Sequence, residues 1–182
     1  MRIIAGKYKR TNLFSVPGNT SRPTTDYNKE VMFSILMNCE DKLVLDLFAG
    51  GGSLGFEALS RGAVEVIFVD FSMRSISTLK KNITKLKTAE QCRIQRRKVI
   101  SFLKKTDRKF DLIFLDPPYN KDLVNPTLDV ILERHLLEEN GKIIVEHSPL
   151  EKIIKMENIL VQKATKNTQI SILGDENAKF NL

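Results

Sequence analysis

The chain has 182 residues, of which 42% are hydrophobic and 28% are charged, a balance typical of one soluble globular domain with its own apolar core. No apolar run approaches the roughly 18 residues of a membrane span, and the N-terminus lacks the apolar segment of a secretory signal, so a cytoplasmic location is expected. Two unpaired cysteines and two isolated histidines favour neither a disulfide framework nor a metal site, and no metal is expected.

The net charge of +7 is concentrated in two segments. Residues 1–25 hold five basic residues and no acidic residue, and residues 74–109 hold thirteen basic and two acidic residues. Two positive segments on an otherwise acidic chain predict contact with a polyanion such as a nucleic acid. The alternative is that they are solvated helix faces rich in lysine.

The first 42 residues differ in pattern from the rest of the chain. The stretch RIIAGKYKRTNLF (2–14) predicts a basic, hairpin-like extension. RPTTD (22–26) then leads into a helix over 27–36, with Thr24 or Thr25 as its cap and Asp26 near its positive end. We expect residues 1–42 to pack on a main domain over 43–182, as a single folded unit.

From residue 43 onward, short apolar runs alternate with longer amphipathic ones. Buried-type strands are predicted over 43–48, 65–70, 92–95, 110–115 and 142–147. Helices are predicted over 53–62, from a cap at Ser72 along the apolar positions Met73, Ile76, Leu79, Ile83 and Leu86, over 99–105 and over 126–137. This order predicts an α/β fold with a doubly wound, mostly parallel sheet.

Two further strand patterns close the chain. Residues 158–165 and 168–173 lie only a few residues apart, so they are expected to pair as an antiparallel hairpin at one edge of the sheet.

A glycine-rich loop follows the first strand, in the stretch LDLFAGGGSLGFEALSRG (45–62). Gly50, Gly52 and Gly55 have the G-x-G-x-x-G spacing between a strand and a helix, where glycine permits a tight turn and the helix N-terminus offers N–H donors. Many nucleotide sites share this spacing. No lysine followed by serine or threonine comes after the loop, which disfavours a phosphate-binding P-loop.

Two aspartates near the loop narrow the choice of ligand. Asp70 ends the second strand, 20 residues beyond Gly50, where a carboxylate accepts hydrogen bonds from ribose hydroxyls of NAD or of S-adenosylmethionine. Asp46 would repel a pyrophosphate and attract a sulfonium or an ammonium group. The loop therefore favours S-adenosylmethionine, with the alternative that Asp46 only binds loop amides.

The fourth strand ends in Asp116-Pro117-Pro118-Tyr119, at the edge where ligands of open α/β sheets bind. Pro118 holds Pro117 extended, neither proline donates a backbone hydrogen bond, and Asp116 adds a carboxylate acceptor. The Tyr119 ring offers a stacking face for a base. Two acceptors beside an aromatic ring predict a receptor for an exocyclic amine, whose lone pair would attack a methyl group on sulfur. The alternative is a proline-rich turn.

These residues resemble a known family. DPPY with LDLFAGGG resembles the Rossmann-like amino-methyltransferases, and RIIAGKYKR, RPTTD and GFEALSRGA resemble the RsmD-type 16S rRNA (guanine-N2) methyltransferase family over nearly the whole chain. The resemblance implies S-adenosylmethionine as cofactor and, as product, an N2-methylated guanine in 16S ribosomal RNA, of the guanine-966 type. The implied RNA partner is 16S ribosomal RNA, either naked or within an assembled or assembling small ribosomal subunit. We expect a monomeric protein that binds no membrane.

Site residues follow from the resemblance by position. It implies cofactor contacts from Asp46, Phe48, Gly50, Gly52, Asp70, Val99 and Asp116. It implies that Asp116, Pro117, Pro118 and Tyr119 carry catalysis at the guanine. It implies RNA contacts from Arg2, Lys7, Lys9, Arg10, Arg22, Thr24 and Thr25.

One departure concerns the adenine end of the cofactor. Lys98 stands where relatives usually carry Asp or Asn, and a lysine cannot accept a hydrogen bond from the adenine amine. Either a backbone carbonyl near Val99 replaces that contact or cofactor affinity is weaker.

Other functions fit the residues less well. An adenine-N6 DNA methyltransferase shares the chemistry, but base readout needs a recognition element that the chain does not offer. An NAD-dependent oxidoreductase explains the glycines but neither Asp46 nor DPPY, and a non-catalytic RNA-binding module leaves the acceptor pair without a purpose.

Overall fold

A computed structural model describes residues 1–18, 25–36, 38–119, 121–165 and 168–174. The helices in these ranges are α1 (Asp26–Leu36), α2 (Ser53–Ser60), α3 (Met73–Leu86), α4 (Val99–Leu103) and α5 (Val124–Glu133), with a short 3₁₀ helix at Met156–Asn158. The strands are β1 (Leu43–Leu47), β2 (Glu65–Asp70), β3 (Cys92–Arg96), β4 (Phe110–Leu115), β5 (Leu137–His147), β6 (Ile159–Ala164) and β7 (Gln169–Leu173).

The strands form one sheet in the order β3-β2-β1-β4-β5-β7-β6. Strands β1 to β5 are parallel, and β7 pairs antiparallel with both β5 and β6. The predicted α/β doubly wound sheet with an antiparallel C-terminal edge hairpin is confirmed. Its parallel strands are buried on both sides because helices cover both faces, which explains their nearly continuous apolar sequences.

The sheet separates two apolar cores. Side chains of α1, α2 and α3 pack with Val44, Phe68 and Phe114 on one face. Side chains of α4 and α5 pack with alternate residues of the same strands, among them Leu45 and Ile113, on the other face. The alternation follows from the two-residue period of a strand.

The N-terminal segment forms a hairpin-like turn and joins the first core. Arg2 and Asn12 form an antiparallel bridge, and Ile3 and Leu13 are buried beside α2. The buried Glu57 carboxylate of α2 accepts hydrogen bonds from the amides of Ile4 and Ala5, at 2.7 and 3.1 Å.

Three details differ from the sequence-based expectation. The helix predicted over 126–137 spans Val124–Glu133 instead, since His135 adopts a left-handed backbone with φ of 49°. Strand β5 then begins at Leu137, which pairs with Phe110, rather than at residue 142. The apolar residues 136–137 continue the helical pattern although Leu136 precedes β5 and Leu137 opens it. Met73 opens α3 but is 58% exposed and does not join the core.

Of the helices that the described ranges contain, none is long and apolar enough to cross a membrane.

Candidate active site

The carboxyl ends of the parallel strands bring a row of acidic residues to one face of the sheet. Asp46 of β1 pairs in register with Phe68 of β2 and with Phe114 of β4, and Phe114 pairs with Ile144 of β5. Because side chains alternate along a strand, the residues two positions beyond these partners share the same face. Those residues are Asp70, Asp116 and Glu146.

A cavity of about 660 Å³ lies at this edge of the sheet. It is lined by the glycine loop, by Asp46, Asp70 and Asp116, and by the residues from Pro117 to Tyr119. The cofactor-binding loop and the DPPY sequence predicted from the chain therefore face a single cavity. Among the described residues that line the cavity, Arg74 is the only basic one.

Two predicted glycines of the loop, Gly50 and Gly52, lie in different places relative to the cavity. Gly50 lines the cavity with φ of 54°. Gly52 does not line it: this residue precedes α2 with φ of 83°, and an added Cβ would lie within 2.8 Å of Phe56 and Leu79. The space beside Gly52 is thus filled by side chains of α2 and α3, and Gly52 as a cofactor-binding residue stays a prediction. Its neighbour Gly51 faces the cavity instead.

Asp46 is the most buried of the cavity acids, at 2% exposure. Its Oδ2 accepts a 2.9 Å hydrogen bond from the amide of Gly55. Burial raises the pKa of Asp46 well above its ordinary value, and the negative charges of Asp116 and Asp70 add to this shift. A bound cation would favour the charged form of Asp46 and lower its pKa, whereas an anionic group would raise that pKa further.

Asp70 connects the glycine loop to the start of α3. Its two carboxylate oxygens accept hydrogen bonds from the amides of Gly50 and Ser72, at 2.9 and 2.8 Å. A carboxylate has about four acceptor sites, so two remain for a ligand's hydroxyl groups. The Ser72 side chain caps α3 as predicted.

The DPPY sequence follows β4 directly, beginning at Asp116. Asp116 is half-buried, Pro117 is buried and Pro118 is exposed. The Tyr119 hydroxyl lies 2.8 Å from Thr168 Oγ1 and donates a 3.3 Å hydrogen bond to Glu146 Oε1. Burial raises the pKa of Tyr119 to about 12, so the phenol stays neutral. Tyr119 is 38% exposed and lines the cavity, so part of its surface is open to a ligand.

The remaining predicted cofactor residues also reach the cavity. Phe48, in a left-handed backbone with φ of 57°, and Val99 at the start of α4 both line it. Lys98 precedes α4 and is exposed, and its carbonyl accepts a hydrogen bond from the amide of Phe102.

Of the predicted RNA-binding residues that the structure describes, none lines the cavity. Lys7, Lys9 and Arg10 are exposed on a turn whose backbone is bound to Ser60, at the far end of α2 from the glycine loop. Arg2 forms a 2.6 Å ion pair with Asp26. Thr25 caps α1 by accepting a hydrogen bond from the amide of Asn28 at 3.1 Å. Arg22 and Thr24 lie outside the described residues.

A basic groove runs along α3 beside the cavity. Phe14 is 49% exposed, and Lys85 Nζ lies 5.0 Å from the centre of its ring. Lys80 and Lys81 line the same groove. The next residues along the chain, from Ser15 to Gly18, line the cavity, so groove and cavity are connected through the N-terminal segment.

Two side chains that build the site, Asn82 and Glu146, were missed in the sequence. The amide of Asn82 on α3 bonds Phe14 and Gly51, which ties the N-terminal segment to the glycine loop. Glu146 lies behind Tyr119 and accepts a 2.8 Å hydrogen bond from Asn28. A signal for Glu146 was present, because an acid near the carboxyl end of a buried strand reaches the ligand edge. The contacts of Asn82 span 68 and 31 residues and leave no local pattern.

The residues fit S-adenosylmethionine better than a dinucleotide. The cavity presents three carboxyl groups, which attract a sulfonium or an ammonium group, and Asp70 keeps acceptor capacity for hydroxyl groups such as those of a ribose. A pyrophosphate would face Asp46 and Asp116 with their like charge.

Comparisons with known proteins agree with this geometry. A family model described as conserved hypothetical protein 95 matches residues 1–173. Ribosomal RNA small subunit methyltransferase D of Haemophilus influenzae is 37% identical over 171 residues, covering 91% of this chain and 89% of the relative. The protein of the same name from Escherichia coli is 34% identical over 148 residues, covering 80% and 74%.

Solved structures show the same fold. The Escherichia coli protein yhhF superposes with a TM-score of 0.84 at 29% identity, covering 97% of this chain and 98% of that one. The Haemophilus influenzae protein HI0767 superposes with a TM-score of 0.81 at 34% identity, covering 94% and 96%.

Proposed function

This chain belongs to the conserved hypothetical protein 95 family, and from that premise we propose that it transfers a methyl group from S-adenosylmethionine to the exocyclic N2 amine of a guanine in 16S ribosomal RNA. The observation that carries the proposal is that Asp116, Pro117 and Tyr119 line the same cavity as the glycine loop, Asp46 and Asp70. Cofactor and base would thus meet without a covalent enzyme intermediate.

The residues at the two ends of the cavity have different tasks in this proposal. Asp46, Asp70 and the backbone of the glycine loop hold the cofactor, which supplies an electrophilic methyl group when bound. Asp116 and the carbonyl of Pro117 accept the two hydrogens of the guanine amine, while the Tyr119 ring stacks on the base. These contacts turn the nitrogen lone pair toward the methyl group, so catalysis rests on alignment and preset charge.

The proposed reaction balances without a further reactant. The guanine nitrogen forms a bond to the methyl carbon, and the carbon–sulfur bond breaks with its electron pair remaining on sulfur. The nitrogen, now cationic, loses one proton to Asp116 or to water. An ordinary carboxylate is basic enough for that step, because a cationic aromatic amine is strongly acidic.

RNA is proposed to lie across the mouth of the cavity and along the α3 groove. Phe14 offers a stacking face and Lys80, Lys81 and Lys85 offer positive charge next to it. RNA in the cavity would contact the turn that carries Lys7, Lys9 and Arg10 only if it also extended along α2. Whether the substrate is naked RNA or an assembling subunit decides how much of this surface is used.

Radiolabelled methyl transfer tests the proposal. Small-subunit RNA and small-subunit particles that lack the modification are incubated with the protein and labelled S-adenosylmethionine, and the product nucleosides are identified. We expect label in N2-methylguanosine. Label in N6-methyladenosine would establish the adenine-N6 alternative, and calorimetric binding of NADH but not of S-adenosylhomocysteine would contradict a methyltransferase altogether.

A further inference from the structure

Glu146 is a buried carboxyl group directly behind the DPPY sequence. It is 4% exposed and lies on β5, two residues beyond Ile144, as Asp116 lies two residues beyond the paired Phe114 of β4. Its Oε1 accepts hydrogen bonds from Asn28 Nδ2 at 2.8 Å and from the Tyr119 hydroxyl at 3.3 Å. Glu146 therefore joins α1 to the base-binding end of the cavity.

The position is costly for an acid. Among the described residues, Oε2 of Glu146 is buried without a hydrogen-bond partner. Burial, and then the charge of Asp116, raise the pKa of Glu146 to about 8. An isosteric apolar side chain would avoid both penalties, because a buried polar atom without a partner costs free energy that no packing gain returns. Packing alone thus gives no reason for an acid at this position.

Among the residues that the structure describes, Asp116 is the one other charged group that acts on Glu146. Asp116 faces it from the end of β4, Tyr119 from the following loop, and the neutral amide of Asn28 from α1. Its register partner on β7 is the apolar Ile170. Lys29 of α1 donates instead to the carbonyl of Arg2 and pairs with Asp26.

We propose that Glu146 is a positioning residue for methyl transfer, which fixes the Tyr119 ring and the start of α1 against the end of β4. This inference rests on the proposed function, since Tyr119 is assigned there to the base. Glu146 acts as a neutral acid at neutral pH, so that Asp116 keeps the single negative charge that faces the substrate amine. It does not touch the substrate, and it accepts no proton during the reaction.

Two variants separate this role from simple packing. Glu146→Gln keeps the shape, the acceptor oxygen and the neutral state, whereas Glu146→Ala removes all contacts. We expect Glu146→Gln to retain kcat within about three-fold at neutral pH. We expect Glu146→Ala to lower kcat by roughly ten-fold or more, with little change in KM for S-adenosylmethionine. The pH profile distinguishes them further: the parent loses kcat as the pH rises through about 8, and Glu146→Gln lacks this decline.

Each result has a defined meaning. If Glu146→Gln is folded but as inactive as Glu146→Ala, the carboxylate is needed in its charged form and the inference is overturned. Parental kcat in Glu146→Ala, or the same alkaline decline in Glu146→Gln as in the parent, would also overturn it. A Glu146→Ala variant that does not fold leaves the Glu146→Gln profile to decide.

Thermal unfolding of the parent and of Glu146→Gln gives an answer that needs no RNA. The folded-state pKa of about 8 lies above the ordinary value of 4.5, so the folded state holds this proton more tightly than the unfolded chain. The free energy of unfolding of the parent is therefore highest below pH 4.5 and falls as the pH rises from 4.5 through about 8. We expect the Tm of the parent to fall over this range by more than that of Glu146→Gln. If the Tm of the parent and that of Glu146→Gln depend equally on pH, the assignment of Glu146 as a neutral acid is overturned. If the two Tm profiles differ but the parent methylates no RNA, only the proposed function is contradicted.

Discussion

The carboxylate of Asp46 and the amide of Gly55 are joined by a 2.9 Å hydrogen bond that links the first strand to the helix after the glycine loop. The contact is close because Gly55 has no side chain: an added Cβ would lie 2.9 Å from Asp46 Oδ2 and 2.4 Å from the ring of Phe68. The absence of a side chain at Gly55 thus allows Asp46 to be held in the cavity and α2 to pack closely on β2.

Replacing Asp46 by Asn tests the charge of this acid. Asn keeps the shape and an acceptor for Gly55, but it offers no negative charge to a sulfonium or ammonium group. We expect Tm to be kept or raised, since a buried charge is removed, and affinity for S-adenosylmethionine to fall about ten-fold or more, equal to about 1.4 kcal/mol. Calorimetry measures the affinity, and unchanged binding would show that Asp46 only supports the loop.

The raised pKa of Asp46 gives a second, independent measurement. A cation bound beside this carboxyl would lower its pKa again, so binding should release protons wherever the carboxyl of the free protein is still partly protonated. Calorimetric titrations in two buffers of different ionisation enthalpy report this release. The effect should be lost in Asp46→Asn, and proton uptake on binding in the parent would contradict the assignment.

Gly55→Ala should destabilise the fold by about 1–3 kcal/mol, because the added methyl meets Phe68, Val66 and Asp46 in a closed space. Gly51→Ala is the matched control within the same loop. Its Cβ would meet the flexible end of Met1 at 2.9 Å, which can move, and the carbonyl oxygen of Phe14 only at 3.3 Å, so the expected loss is smaller. Urea unfolding compares the two, and an equal loss of stability would show that the space around Gly55 is not the cause.

Asp116→Ala should separate binding from chemistry. The variant loses the acceptor proposed for the substrate amine, so we expect kcat to fall about a hundred-fold or more while S-adenosylhomocysteine still binds within a few-fold of the parent. Asp111→Asn at the other end of β4, where the carboxylate bonds Lys42 and the amide of Leu43, is the control that should leave turnover intact. Methyl transfer by Asp116→Ala at a rate close to that of the parent would remove Asp116 from the mechanism.

The sequence predicted the parts of the molecule that depend on local pattern. The strands were visible as buried apolar runs, and the ends of β1, β2 and β4 identified Asp46, Asp70 and Asp116 because parallel strands present their carboxyl ends at one edge. The resemblance to the RsmD family is confirmed by the relatives named above.

What the sequence concealed depends on contacts between distant residues. Glu146 reaches Tyr119 only through the register of β4 and β5, and Asn82 reaches Phe14 across 68 residues. The role of Gly52 depends on Phe56 and Leu79 filling the space beside it, which the glycine spacing alone does not reveal. The end of α5 was misplaced because the apolar residues 136–137 fit a helix and a strand equally well.

The Tyr119 ring and its hydroxyl make separable contributions. Tyr119→Ala removes the proposed stacking face and should weaken RNA binding by about 1–3 kcal/mol. Tyr119→Phe keeps the ring but loses the contacts with Thr168 and Glu146, so we expect near-parental RNA affinity with kcat several-fold lower. Filter binding and single-turnover rates measure the two effects, and equal RNA affinity in Tyr119→Ala and the parent would exclude stacking.

The α3 groove should give RNA binding its salt dependence. Each lysine that contacts a phosphate releases counterions, so log affinity for single-stranded RNA falls linearly with log salt, with a slope of about −0.7 per contact. Replacing Lys81 and Lys85 by Gln should lower RNA affinity and make this slope shallower by about 1.4. The control is the pair Lys104 and Lys105, which is equally basic and exposed but follows α4, near the opposite edge of the sheet where β4 begins. If both double variants change the slope equally, RNA binds by net charge alone, and the groove beside Phe14 has no special part in holding it.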